Sequence, residues 1–194
     1  NYVKGTSYPM VVYVYERQSN DLNQYIAPHP NAPYNPQMLS QNGYFVLRPD
    51  ITYRDRNPGL SAVEALLPAV DRVIAMGLVD SARVGLVGHS WGAYQTAFTV
   101  TQTDRFAAAV AGAPLTNLIS MYLSIYWNTG GTDARIFEIS QGRMQVPPWE
   151  DLDAYMKNSP LFNIERLNTP LLVAFGDKDG AVDVLIASSR VGTG

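Results

Sequence analysis

The stretch Gly88-His89-Ser90-Trp91-Gly92 places a serine between two glycines in the pattern G-x-S-x-G. An apolar run typical of a β-strand, residues 84–87, precedes it, and a helical pattern begins at Trp91. A serine at such a strand-to-helix turn is held in a strained backbone conformation with its hydroxyl above the sheet. Glycines are needed beside it because side chains there would clash with neighbouring backbone. The helix N-terminus also favours the negative charge that develops in acyl transfer. The stretch therefore predicts a nucleophile elbow at Ser90.

The segments around this turn alternate between strand and helix. Further short runs of β-branched, aromatic or alanine-rich character, typical of buried parallel strands, cover residues 10–15, 44–47, 106–111 and 171–175. Helical patterns cover residues 61–77, 91–101 and 115–126; the first begins at a predicted capping box, Ser61 to Glu64, and contains Pro68. This alternation predicts an α/β fold with a doubly wound, mostly parallel sheet, and the elbow makes it the α/β-hydrolase fold.

Composition narrows the class of protein. The 194 residues, 46% hydrophobic and 16% charged, fit one globular domain. A net charge of -3 predicts neither nucleic acid nor an anionic membrane as a partner. No apolar run approaches the roughly 18 residues that cross a bilayer. The absence of cysteine excludes disulfides and thiolate metal sites but leaves the cellular compartment open. Because the sequence starts without Met and finishes in a small polar tail, we expect residues 1–194 to be a single partial domain of a longer protein, truncated at its C-terminal end.

A serine nucleophile requires a base and an acid that orients the base. In this fold the chain order is serine, acid, histidine. The strand-like run 171–175 is followed by Asp177 and Asp179, and both are candidates on spacing. The two histidines fit poorly: His89 adjoins the nucleophile within the turn, and His29 precedes it in a loop. No histidine follows Asp179, so we expect the base to be absent from these residues.

Two long loop-like stretches, residues 18–36 and 130–148, are rich in Pro, Gly or Asn. Loops of this length in a compact domain are either functional or plain insertions.

Several short segments resemble, in order and spacing, the catalytic domain of the prolyl oligopeptidase family, which includes dipeptidyl peptidases and acylaminoacyl peptidases. They include the opening strand at residues 8–15, the strand and turn at 44–50, and the approach to the elbow at 77–85. Ala113-Pro114 and Ser159-Pro160 also fit the family. The resemblance covers residues 8–182, most of the chain.

The resemblance implies a role for individual residues. Ser90 is the nucleophile, and Asp179, three residues before Val182, is the acid. The hydroxyl of Tyr15 and the backbone N–H of Trp91 are the oxyanion donors. No metal or organic cofactor is implied.

A pocket for the substrate's P1 side chain is implied on Tyr122 and Tyr126, with Trp91 and Val182 completing its wall. Tyr122 and Tyr126 are four residues apart and share one face of the predicted helix. A core-packing stripe explains this pair nearly as well.

Three departures from the family pattern stand out. Glu16-Arg17 follows Tyr15 where the family has glycines, which predicts a different oxyanion loop. Residues 50–54 lack the usual glycine-rich continuation. The family's histidine, final strand and helix, and preceding β-propeller all have no counterpart in this sequence.

The resemblance implies a serine peptidase that hydrolyses peptide bonds through an acyl-enzyme at Ser90, with peptides as partners. Without a base, we expect these 194 residues alone to turn over very weakly or not at all. The alternatives are a carboxylesterase-like hydrolase on the same fold and a non-catalytic binding domain. Substrate preference, exo- or endopeptidase action, compartment and oligomeric state are left open.

Overall fold

A parallel sheet lies at the centre of the computed structural model, which describes residues 3, 5–29, 31–32 and 34–182. The strands of this part of the chain are β1 (Tyr8–Val14), β2 (Phe45–Leu47), β3 (Val79–His89), β4 (Ala108–Gly112), β5 (Ile125–Tyr126), β6 (Gly131–Thr132) and β7 (Leu171–Ala174). The main sheet has the order β2-β1-β3-β4-β7, and each neighbouring pair in it is parallel. β5 and β6 form a separate antiparallel pair. The predicted parallel sheet is therefore confirmed.

The helices connect these strands and cover the sheet. They are α1 (Pro36–Gln41), α2 (Pro58–Ile74), α3 (Trp91–Val100), α4 (Leu118–Tyr122), α5 (Ala134–Glu138) and α6 (Leu152–Lys157), with 3-10 turns at Ser19–Asp21 and Pro160–Arg166. None of the helices in the described residues combines the length and apolarity that a bilayer crossing requires.

The predicted start of α2 is wrong by about one turn. The helix begins at Pro58, because a proline at the first helical position has its φ already set and lacks only an N–H that would go unpaired. Ser61 lies inside the helix, and its Oγ donates a hydrogen bond to the backbone oxygen of Asn57 at 2.6 Å instead of capping. Past the other end, Gly77 has a φ of +76°, the left-handed conformation expected there.

The predicted helix over residues 115–126 is also wrong. α4 ends at Tyr122, and the chain turns into the β5–β6 hairpin, so Tyr126 lies on a strand. The backbone N–H of Gly130 donates to the oxygen of Tyr126 at 2.8 Å, and Gly130 has a φ of +72°. Glycine at the turn thus outweighs the apolar spacing that had predicted a longer helix.

The strand order reverses direction between β1 and β3. From β1 the chain crosses to β2 on one side, then returns to build β3, β4 and β7 on the other. In open α/β sheets, ligands bind outside the carboxyl ends of the two strands at such a reversal. Tyr15 directly follows β1 and Ser90 directly follows β3, so both predicted site residues lie at this point.

Two groups of buried side chains hold the elbow in place. Val12, Val14 and Leu86 pack with α2 beneath the sheet, and each is 0 to 1% exposed. On the other side of α3, an aromatic cluster contains Trp91 and Phe137, both with no exposed surface. Burying each large aliphatic side chain contributes about 1.5–3 kcal/mol to stability. The elbow is thus anchored by core on both sides.

Gly92→Ala is expected to destabilise the fold by about 2–3 kcal/mol or more. A Cβ at Gly92 would lie 2.1 Å from the carbonyl oxygen of Val14, so β1 or α3 must shift to admit it. Gly85→Ala is the matched control, since a Cβ there meets only the oxygen of Ala108 at 3.7 Å. Urea unfolding of both variants measures the difference, and equal midpoints would show that the close approach at Gly92 is unimportant.

Candidate active site

Ser90 occupies the turn between β3 and α3 in a strained conformation, with φ 54° and ψ −119°. The backbone N–H of Ser90 donates to the backbone oxygen of Gly112 at 2.8 Å. The backbone carbonyl oxygen of Ser90 accepts from the N–H of Tyr94 at 3.0 Å. These bonds tie the serine to β4 and to α3. A Cβ at Gly88 would lie 2.1 Å from the oxygen of Gly92, so neither glycine can carry a side chain without movement. The strand-turn-helix geometry is that of a nucleophile elbow.

A cavity of about 160 Å³ opens beside Ser90. The structure brings four predicted site residues to its wall: Tyr15, Ser90, Tyr126 and Val182. Gln141 and Asp133, which the sequence did not single out, supply further polar groups. Much of the remaining wall is apolar and comes from α4 and α5, through Met121, Ile136 and Phe137.

The hydroxyl of Tyr15 is held by a neighbour from the second long loop. Gln141 Nε2 donates a hydrogen bond to Tyr15 Oη at 3.1 Å. Because this bond uses the oxygen as acceptor, the hydroxyl proton remains available to a group in the cavity. Trp91 is the first residue of α3, where a backbone N–H has no acceptor within the helix. The two predicted oxyanion donors, the Tyr15 hydroxyl and the Trp91 backbone N–H, therefore lie beside the serine, and each can donate a hydrogen bond.

Glu16 shows how the chain leaves β1 without the family's glycines. It adopts a φ of +45°, a conformation that glycine reaches more easily. Its carboxylate accepts a hydrogen bond from Arg143 Nη1 at 2.8 Å, and the guanidinium lies over the ring of Tyr53, 4.0 Å from its centroid. The same Nη1 donates to the backbone oxygen of Gln141 at 2.8 Å. An ion pair thus shapes the segment after β1 and holds Gln141, the residue that contacts Tyr15.

Tyr122 and the ring of Trp91 do not line the cavity, contrary to expectation. Tyr122 is 7% exposed, and its hydroxyl donates to Glu138. Burial and this hydrogen bond raise the pKa of Tyr122 to about 12. The Trp91 ring has no exposed surface, and its Nε1 donates to Tyr53 Oη at 3.2 Å. Core packing, the alternative that the sequence had left open, explains Tyr122. α4 directs its ring into the aromatic cluster, where it packs against Phe137.

The loop after β7 places Asp179 beside the cavity wall. Asp179 Oδ1 accepts hydrogen bonds from the backbone N–H groups of Ala181 and Val182, at 2.8 and 3.1 Å. These bonds fix the turn that brings Ala181 and Val182 to the cavity. Asp177 is exposed in the same loop. The turn is built around Asp179, and its role as the acid of a triad stays a prediction.

Neither histidine is among the residues that line the cavity. His29 is exposed, and its Nδ1 accepts from the backbone N–H of Asn31 at 3.3 Å. The ring of His89 packs against Tyr34, with 5.7 Å between centroids. Within the part of the chain that the structure describes, no three His, Asp or Glu side chains form a group that could hold a metal ion.

Asp133 is a buried acid at the cavity wall. It is 1% exposed, and neither carboxylate oxygen has a hydrogen-bond partner among the described residues. It precedes α5, yet its side chain makes no capping bond. Burial raises the pKa of the Asp133 carboxyl from 3.8 to about 6. A sequence pattern offers no signal for this site, because an aspartate before a helix is ordinarily a cap.

Asp133→Asn is expected to stabilise the protein at pH 8 by about 1–3 kcal/mol. The folded state prefers the protonated acid, so stability is lost as pH rises from about 4, where the unfolded acid ionises, through about 6, where the folded one does. Asparagine does not ionise, so the variant does not lose this stability at pH 8. Near pH 3.5 Asp133 is itself largely protonated, and the two proteins should be equally stable. Urea unfolding at both pH values measures it. Asp55→Asn, at an exposed position, should change stability little at either pH, and an equal response of the two variants would contradict the prediction.

A model of the prolyl oligopeptidase family matches residues 30–189. The chain belongs to this family. The acylamino-acid-releasing enzyme of Arabidopsis thaliana is 33% identical, over 65% of this chain and 16% of that protein. Dipeptidyl-peptidase 5 of Porphyromonas gingivalis is 24% identical, over 91% of this chain and 26% of that protein. The chain thus spans between about a sixth and a quarter of the length of these relatives.

Solved structures share the fold. An acylaminoacyl peptidase of Pyrococcus horikoshii superimposes with a TM-score of 0.74 at 19% identity, covering 97% of this chain and 30% of that one. A puromycin-hydrolyzing peptidase of Mycobacterium tuberculosis gives a TM-score of 0.71 at 24% identity, covering 96% and 28%. The predicted α/β-hydrolase fold and the predicted family are both confirmed.

Proposed function

We propose that residues 1–194 form part of one catalytic domain in a longer serine peptidase, which hydrolyses peptide bonds through an acyl-enzyme at Ser90. One observation carries the proposal: Ser90, on a strained elbow, opens into the same cavity as the hydroxyl of Tyr15. Membership of the prolyl oligopeptidase family supports it.

The geometry suits nucleophilic attack on a carbonyl group. Ser90 Oγ attacks the carbonyl carbon of a peptide bond, and its proton passes to a base. The oxyanion that forms accepts hydrogen bonds from the Tyr15 hydroxyl and the Trp91 backbone N–H. The base then returns the proton to the leaving amine, and the acyl group stays on Ser90 until water hydrolyses the ester. Asp179 orients the base.

The base itself is a histidine outside these 194 residues in this proposal. The two histidines of the sequence, His29 and His89, do not line the cavity with Ser90. Removing the base of a serine hydrolase lowers kcat by about a million-fold. The 194 residues by themselves should therefore turn over very weakly.

Paired substrates test the reaction in the full-length protein that contains this chain. Hydrolysis of an aminoacyl p-nitroanilide, together with covalent labelling of Ser90 by a fluorophosphonate, is the expected result. Hydrolysis of a p-nitrophenyl ester alone would assign a carboxylesterase instead. Absence of label at Ser90 in folded protein, judged against Ser90→Ala, would favour a binding domain.

A further inference from the structure

Asp133 is placed to meet a ligand beside the nucleophile. Asp133 is one of the residues that form the wall of the cavity that Ser90 also lines, and its side chain is 1% exposed. Both oxygens lack a hydrogen-bond partner among the described residues. Buried polar groups are nearly always paired, and an unpaired carboxylate in an apolar setting lowers stability. At a cavity wall, a bound ligand would supply the partner that the described residues do not provide.

No cation of the described chain is free to serve as that partner at the wall. Of the described residues that line the cavity, Asp133 alone carries a formal charge at neutral pH. Arg143, close by on the same loop, is engaged by Glu16, by the backbone oxygen of Gln141 and by the Tyr53 ring. A ligand that brings a positive group into the cavity would pair a charge that the protein leaves unpaired.

The size and lining of the cavity select the shape of that ligand. Its volume of about 160 Å³ is close to the roughly 150 Å³ of an engineered cavity that holds benzene. This is room for one side chain, a short alkyl chain or a single ring, and the charge in the wall distinguishes between them. Met121, Ile136 and Phe137 offer apolar contact to methylene groups, and Asp133 is the acidic residue of the same wall. An apolar stem with a charged head fits both parts.

We propose that this cavity binds an aliphatic ammonium side chain, such as that of lysine, with the Asp133 carboxylate as its counter-ion. The inference rests on the proposed function, since the residue whose carbonyl Ser90 attacks would place its side chain here. Asp133 then determines specificity, favouring peptides with a cationic residue on the acyl side of the cleaved bond.

Two substrates that differ only in the ammonium group provide the test. Blocked lysyl and norleucyl p-nitroanilides have the same unbranched alkyl stem, and kcat/KM for each is measured at pH 8 with the full-length protein. We expect the lysyl substrate to be preferred at least tenfold. Asp133→Asn should lower kcat/KM for it by about 10- to 100-fold, as expected for loss of a charged hydrogen-bond partner, and change the norleucyl value by less than about threefold. Asp55→Asn, at an exposed site, should change neither.

The outcomes separate this inference from the proposed function. Equal rates on both anilides, changed in parallel by Asp133→Asn, would overturn the cationic subsite and leave the peptidase standing. Failure to cleave either substrate would count against the proposed peptidase activity. A binding measurement would then test the cationic subsite by itself. In thermal unfolding at pH 8 and constant ionic strength, n-butylammonium should raise the melting temperature of the original protein and not that of Asp133→Asn, whereas 1-butanol should not distinguish them. Equal shifts in both proteins would overturn the subsite.

Discussion

Ser90→Ala in the full-length protein is expected to lower kcat for anilide hydrolysis by about a million-fold. The change removes the side-chain oxygen of Ser90, a residue of the cavity wall, and leaves the Cβ in place, so the backbone at φ 54° is equally strained in both proteins. A residual acceleration of about 10³- to 10⁴-fold over the reaction in water should survive, because the oxyanion donors and the cavity remain. Steady-state kinetics at saturating substrate, with circular dichroism as a check of folding, measure the loss.

Ser81→Ala is the matched control for this experiment. Ser81 lies near the opposite end of the same strand, β3, and is exposed. The substitution there should leave kcat within about twofold. If Ser90→Ala kept more than about one hundredth of the activity, the nucleophile would have to be another residue.

Tyr15→Phe is expected to lower kcat by about 10²- to 10³-fold with little change in KM. The ring keeps its place after β1, and only the hydroxyl that Gln141 orients at 3.1 Å is lost. That hydroxyl would bind the oxyanion of the transition state more strongly than the neutral carbonyl of the substrate, so its loss appears in kcat. Comparing kcat and KM for the two proteins on one anilide tests the role.

Tyr25→Phe serves as the control for Tyr15→Phe. It removes the same hydroxyl group, but from a side chain that is 81% exposed. We expect Tyr25→Phe to leave both kcat and KM unchanged. A Tyr15→Phe variant with raised KM and unchanged kcat would make Tyr15 a substrate-binding group of the ground state. Unchanged activity would remove Tyr15 from the oxyanion site altogether.

Local signals in the sequence predicted the elbow and the sheet because each depends on neighbouring residues. The glycines at 88 and 92 are required within one turn, and the strand-like runs are short and continuous. The predicted helix boundaries were wrong where another local sequence feature set the start or the end of the helix. Pro58 began α2 before the predicted capping box, and the turn at Gly130 ended the pattern that reached Tyr126.

The sequence by itself determined which side chain stands at the elbow and that the sheet is mostly parallel. Both follow from the strand–turn–helix pattern around Ser90 and from the alternation of strands with helices along the chain. That β1, which ends just before Tyr15, lies beside β3 was decided by the tertiary structure. Only the tertiary structure decided which residues surround the nucleophile. Gln141 reaches Tyr15 across 126 positions of sequence, and Arg143 reaches Glu16 across 127. Asp133 and Ser90 line one cavity because the loop that carries Asp133 packs beside the elbow. No periodic pattern in a sequence records where a distant loop is packed.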